Sequence, residues 1–599
     1  MTIALPKRSE MQIEYTWDLG TIYPSDEAWE QDFKRVSAVL PELAKYQGRM
    51  GESAQTFLEA LSARDSSGEI LGRLFVYAQM RLHEDTTNTT YQALADRVTT
   101  LASDFGSATA YMTPEILSIP QERLDVFLNE DARLRVYRHA LDEINRERPH
   151  ILPAEQEALL AQASEMGNAP ERIYEMLTTA DQKLPVVRDE QGQEVQLTQG
   201  NYVPRFLENR DRRVRAEAFQ AMLGTYDAYR NTFATTLGAQ VKRDIFFARA
   251  RRYENALEAA LSPNNIPVSV YDNLIATVDR NLPLLHRYLR LRKRLLGLDE
   301  LHMYDLYVPM VKDVEYKIAY EDAQEQVASA LGPLGGEYVS ELREGFGARW
   351  IDVYENAGKR SGAYSWGAYG TNPFMLLNYQ RSLDSMFTLA HEAGHSMHSF
   401  LTWRSQPYPY GSYTLFVAEV ASTLNEALLT HYLLQNTDDR TLRMYVINHA
   451  LETFRTTLYR QTLFAEFERE AHARAEGGES LTPELLNGIF KGLNDKYYGA
   501  EVAVDDLIGV EWARIPHFYS SFYVYQYATG ISASAALASQ ILAEGQPAVE
   551  RYLRFLASGS SDYSINLLRA AGVDLSSPEP IQQALDTFGR YLDEMEQLA

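Results

Sequence analysis

Two histidines four residues apart, His391 and His395, sit in a stretch whose apolar residues Leu383, Met386, Phe387, Ala390, Gly394, Met397 and Leu401 recur at the helical period. Residues four apart on a helix lie one turn above each other, so both imidazoles point to one place. Ser382 and Asp384 suit the first turn of that helix. The same period recurs upstream in Ile70, Leu71, Leu74, Phe75 and Ala78, and again in Leu94, Val98, Leu101 and Phe105. The chain is therefore expected to be mainly α. Two stretches depart from the pattern. Over 184–197, Val186-Val187 and Glu194-Val195-Gln196-Leu197 flank Gly192 and predict a hairpin. Over 363–379, aromatics and glycines lead into Phe374-Met375-Leu376-Leu377, which predicts a small β-sheet running into the histidine helix; from periodicity alone it is either a buried structural strand or an edge able to pair with extended peptide backbone.

Two imidazoles held one turn apart supply part of a metal site. Glu392, about 100° round the helix, falls beside the ion, where it can take a proton from a water attacking a carbonyl. A catalytic zinc needs a third protein ligand and one open position. Pro407, Pro409 and Gly411 break the chain after the first helix, and a second periodic run over 413–432 is placed to return antiparallel to it. Within that run, Phe416-Val417-Ala418-Glu419-Val420-Ala421 puts an acid between apolar neighbours. A buried carboxylate must be paired or metal-bound, so Glu419 is the candidate third ligand, with a buried salt bridge as the alternative. Glu426, two turns on, is either the acceptor for a ligand histidine or a plain surface acid. A metzincin's third histidine would fall at Leu401, and the glutamate of thermolysin-like enzymes near Leu415, so neither pattern is present.

With its surroundings, this arrangement resembles the thimet oligopeptidase family of zinc peptidases, and within it the oligoendopeptidase F branch. The resemblance is carried by Tyr364-Ser365-Trp366-Gly367, Gly370-Thr371-Asn372-Pro373-Phe374, residues 390–398, residues 418–423, Asn425-Glu426 and residues 515–519. It reaches Trp17-Asp18-Leu19 and Ala571-Gly572-Val573-Asp574, and so covers nearly the whole chain. It implies a two-lobed helical peptidase whose deep central channel admits short peptides and excludes folded protein. It implies one Zn2+ per chain on His391, His395 and Glu419, Glu392 as the base, and a substrate-binding strand segment that includes Gly370 and Phe374. It also implies a His and a nearby Tyr that bind and polarise the substrate carbonyl. The His maps onto His517; for the Tyr, Tyr525 is the first choice and Tyr523 the second, with Tyr519 and Tyr527 remaining. From composition alone such a tyrosine run reads as packing.

At 599 residues the chain has room for two or three lobes. The expected division is an N-terminal helical region 1–112, an N-terminal lobe with the hairpin 113–200 and a catalytic domain 201–599. There is no cysteine, which excludes disulfides and thiolate ligands, leaves His and carboxylate, and fits a cytoplasmic location. Residues 1–15 lack a charged start followed by an apolar core, so no export signal is visible. The apolar run 527–542 is too short and polar to span a bilayer, and no membrane partner is expected. A net charge of -25 argues against nucleic acid, and the trio Arg249, Arg251 and Arg252 is too small to reverse that. Short peptides are the expected partners; the sequence is silent on oligomeric state. The expected activity is zinc-dependent hydrolysis of internal bonds in short unstructured peptides. A dipeptidyl carboxypeptidase or carboxypeptidase shares the same metal pattern, and a non-catalytic helical peptide-binding protein would have no need of Glu392.

Overall fold

The computed structural model describes residues 5–311 and 316–599, so the first residues of the N-terminal stretch lie outside it. The protein is mainly helical, as expected, with one two-stranded and one three-stranded sheet among the described residues. The chain forms two compact units. One comprises Met1–Pro149, Glu315–Tyr432 and Leu537–Gly572; the other comprises His150–Val314, Leu433–Ala536 and Val573–Ala599. The segments 1–112, 113–200 and 201–599 divide the chain in a different way, by order in sequence, whereas each compact unit draws on three separated stretches.

In the first unit, helices Asp26–Leu43, Ala54–Glu84 and Thr89–Thr109 enclose Trp29, Leu74, Tyr77, Met80 and Val98. Each begins on a side-chain oxygen, from Ser25, Ser53 and Asn88, that accepts an otherwise unpaired backbone N–H. The three-stranded sheet packs on this core. Its central strand Phe374–Leu376 runs parallel to Ile351–Asp352 and antiparallel to Tyr364–Trp366, with Ser365 opposite Met375. Phe374 and Leu376 share the core with Trp17, whose Nε1 donates to Glu84 Oε1 at 2.7 Å. The N-terminal Trp17 is thus a packing residue beneath the sheet.

That arrangement corrects the expectation for Phe374. Its ring is 1 % exposed and lies edge-on to Trp17 at 6.4 Å, and its strand is paired on both sides. It has neither a side chain nor a strand edge to offer a substrate; Ile351–Asp352 and Tyr364–Trp366 are the outer strands. Gly370, at φ +81°, sits in the turn closed by Thr371 N–H on Ala368 O at 2.9 Å. A left-handed turn position by itself calls for glycine.

In the second unit, helices Arg230–Ala250, Arg460–Glu476 and Pro483–Tyr498 pack with a cluster of rings from Phe464, Phe467, Phe490 and Phe518. The expected hairpin is present, pairing Val186–Arg188 with Glu194–Gln196. Arg251 of the basic trio is tied to Glu157 at 2.8 Å. Among the described residues no helix is long and apolar enough to cross a membrane.

Candidate active site

Helix Leu383–Ser405 begins at Ser382, whose Oγ accepts the Ser385 N–H at 3.1 Å. Helix Leu415–Gln435 runs back along it. Three contacts fix the direction: Asn425 with Ala390, Glu426 with His391, and Glu419 with His395. Ala390 and His391 meet Asn425 and Glu426, whereas His395, one turn further along, meets the earlier Glu419, so the pair is antiparallel, as the break at Pro407 and Gly411 predicts. The backbones cross at Gly394, where an added Cβ would lie 2.6 Å from both Ala421 O and Ser422 Cα. Only a residue without a side chain lets the two helices approach closely enough for groups from both to meet.

They meet at a triangle of His391 Nε2, His395 Nε2 and Glu419 Oε2. The nitrogens are 3.2 Å apart, and the carboxylate oxygen lies 3.4 and 3.5 Å from them. Among the described residues this is the group of His, Asp and Glu side chains that could hold a metal ion. His391 Nδ1 lies 2.6 Å from Glu426 Oε1. A carboxylate only accepts, so Nδ1 carries the proton and Nε2 turns its lone pair to the centre of the triangle. Glu426 therefore orients a histidine and is not a surface acid. Ser422 Oγ donates to Glu419 Oε2 at 2.9 Å, and Asn425 Nδ2 donates to Ala390 O at 3.0 Å. Both supports escaped sequence reasoning; their signal was a small polar residue at a position where an apolar one would pack.

The charges around the triangle are uneven. Burial lowers the pKa of His391, but the hydrogen bond to Glu426 and the charges of Glu426, Glu392 and Glu419 raise it to about 9. Burial raises Glu419, but the bond to His395 and the two imidazoles bring it down to about 2. Both shifts have one cause: three carboxylates surround two imidazoles, a setting that favours added positive charge. Glu392 is 7 % exposed and faces the backbone N–H of Ser365; burial raises its pKa against the pull of His391 and His395. The outer strand Tyr364–Trp366 thus touches the acid beside the triangle. A further histidine on the same helix, His398, is stacked on Tyr413 at 3.7 Å, and burial lowers it to about 3, so it is a neutral core residue.

The aromatic segment 517–527 belongs to the second unit. His517 and Tyr523 lie with parallel rings 5.9 Å apart, Tyr527 stands edge-on to His517 at 6.1 Å, and the Tyr527 hydroxyl donates to that of Tyr523 at 3.4 Å. His517 keeps an exposed face, yet the surrounding groups desolvate it enough to lower its pKa. Tyr525 turns inward, 2 % exposed and 5.2 Å from Tyr271. Tyr519 stacks on Tyr174 at 4.4 Å and shares a hydrogen bond with Thr236 at 2.6 Å. The expectation that Tyr525 stands with His517 is corrected. Residues four apart at a helix start share a face, which joins Tyr523 to Tyr527 and sends Tyr525 to the other side.

Comparison with known proteins supplies the family. Residues 205–587 match the family model of peptidase family M3, and residues 115–183 match that of oligopeptidase F. The chain belongs to peptidase family M3. It is similar to oligopeptidase PepF of Bacillus subtilis strain 168, with 54% identity over 594 residues that cover 99% of this chain and 88% of that protein. It is similar to the crystal structure of oligoendopeptidase-F from Enterococcus faecium, at 39% identity and a TM-score of 0.75, covering 96% of this chain and 99% of that one. A crystal structure from Chlamydophila abortus matches at a TM-score of 0.93 and 35% identity, covering 99% and 100% of the two chains. This M3 peptidase is accordingly a metallopeptidase with the helical fold of those neighbours.

Proposed function

We propose that this M3 peptidase is a zinc-dependent oligopeptidase that hydrolyses internal bonds of short, unstructured peptides. The observation that carries the reading is the triangle of two Nε2 atoms and one carboxylate oxygen, with edges of 3.2, 3.4 and 3.5 Å. Tetrahedral zinc with bonds of about 2.0–2.1 Å holds its ligand atoms about 3.3 Å apart, so both donor types and their spacing fit that ion. Three protein ligands leave the fourth position that distinguishes a catalytic site from a structural one. When bound, zinc supplies Lewis acidity, which makes water a better nucleophile and polarises a carbonyl.

The side chains of the protein do the rest. Glu392 accepts the proton of the attacking water and delivers it to the leaving nitrogen; a carboxyl whose pKa is raised by burial holds that proton better in transit. Ser365, through its backbone N–H, keeps Glu392 in place. Glu426 and Ser422 orient His391 and Glu419. His517 and Tyr523 donate to the substrate carbonyl as charge develops on its oxygen, Tyr523 taking the role because it stands beside His517 where Tyr525 does not. The outer strand Tyr364–Trp366 pairs with substrate backbone. Cytoplasmic action completes the proposal, in keeping with a chain that has no cysteine.

The test is digestion of two matched peptide libraries, one blocked at both termini and one with a free C-terminus, with and without chelator, alongside elemental analysis of the purified protein. One zinc per chain and internal cuts that chelation abolishes are expected. Cleavage confined to peptides with a free C-terminus would favour a carboxypeptidase, and activity in metal-free protein would remove the metal assignment altogether.

A further inference from the structure

The turn that presents Tyr523 to His517 is held by side chains that none of these steps uses. Phe522 has φ +57°, a left-handed backbone conformation that a bulky aromatic residue adopts only when its surroundings impose it. Its ring is buried against His472 at 4.4 Å and Tyr271 at 5.9 Å. Its backbone N–H donates to Glu468 Oε1 at 2.8 Å. One residue earlier, Ser521 Oγ donates to Asp244 Oδ2 at 2.6 Å. The strained residue is thus fixed through its ring, its backbone and its neighbour.

Glu468 is the unexpected member of this set. It projects from helix Arg460–Glu476, is 3 % exposed, and its Oε2 has no hydrogen-bond partner among the described residues. Burial raises its carboxyl well above the ordinary range, against the Phe522 bond and with the Asp244 charge adding to the rise. A carboxyl group with one bond and one orphaned oxygen is a poor choice for core stability, since an apolar side chain of similar volume would leave nothing unpaired. What an apolar side chain cannot do is accept the N–H of a residue bent into the left-handed region. Just after that bend, the Tyr523 N–H closes on Ser520 O at 3.2 Å, and the rings of His517, Tyr523 and Tyr527 come together.

We propose that Glu468 is a positioning residue: by accepting the Phe522 N–H it fixes the left-handed turn that sets Tyr523 beside His517. The proposal rests on the reading of His517 and Tyr523 as donors to the substrate carbonyl. It is tested by kinetics, zinc content and thermal melts of Glu468→Leu, Glu468→Gln, Tyr523→Phe and the Glu468→Leu/Tyr523→Phe double variant. Glu468→Leu is expected to lower kcat about tenfold or more with KM and zinc unchanged. Glu468→Gln keeps the acceptor oxygen and is expected to return kcat to within about threefold of the parent. The double variant should be about as slow as the slower single one, because both changes disable one device. If Glu468→Leu fails to fold, Ser521→Ala stands in for it: removing the second tether of the same turn should lower kcat severalfold at constant KM. Parental kcat in the deciding variant, equal losses in the Leu and Gln variants, or full additivity with Tyr523→Phe each overturns the positioning role. A slow Tyr523→Phe beside any of these leaves the donor reading standing. Full activity of both Tyr523→Phe and His517→Ala overturns the donor reading, and the positioning role falls with it.

Discussion

Glu392 is buried beside the ion-binding triangle but supplies none of its three donor atoms, so its contribution can be separated from metal affinity. Glu392→Gln is expected to retain zinc while turnover of a quenched peptide falls by about 10² or more, since the amide cannot take the proton. Loss of zinc together with folding would show the residue to be structural. Glu426→Ala makes the complementary prediction. Freed from its partner at 2.6 Å, His391 loses its fixed tautomer, and zinc affinity measured against a competing chelator should fall about 10–100-fold. An unchanged affinity would mean that the bond orients nothing. His391, Glu392 and His395 were legible in the sequence because one helical turn is a local rule. Glu419 was legible because an acid among apolar residues has few places to go. Tyr523 was not preferred over Tyr525, since its facing depends on the bend at Phe522, and no local preference of phenylalanine announces a positive φ.

At the scale of elements, the crossing of helices Leu383–Ser405 and Leu415–Gln435 at Gly394 governs the site. Gly394→Ala places a methyl group 2.6 Å from backbone atoms of the opposite helix, which can yield only by moving as a whole. Overpacking of this kind costs about 1–3 kcal/mol, and here it also opens the triangle. We expect a lower Tm and a marked loss of zinc in the purified variant; a Gly394→Ala protein with parental melting and full zinc would refute the close crossing. The helix itself was legible almost to the residue, because its cap at Ser382 and its period are both written locally. The sheet was legible as a sheet but not in its strand order. Phe374–Leu376 is central because Ile351–Asp352 pairs along its other side, and that partner lies outside the stretch whose pattern predicted the sheet. Hence Phe374 was placed at a substrate edge when it is core.

For the whole molecule, zinc binding and stability should be linked. Zinc at a hundredfold excess over its Kd adds about 2.7 kcal/mol to whatever unfolds with the site. Melting followed with and without chelator should therefore show a transition that rises with free zinc; a melt indifferent to zinc would mean that the ligands survive in the unfolded chain or never converge. The compact units were not legible, because each is assembled from stretches brought together by tertiary contacts that carry no local signature. One of those stretches, Leu537–Gly572, braces the histidine helix: Leu556 O accepts from Thr402 Oγ1 and Ala557 O from Gln406 Nε2, both at 2.8 Å, and Phe555 lies 5.5 Å from His398. A ribosome that has translated both ligand helices has therefore not yet made the brace behind them. Thr402 Oγ1 and Gln406 Nε2 gain these carbonyl acceptors only once synthesis has passed Ala557, so the histidine helix is completed from behind by a stretch made more than a hundred residues after it.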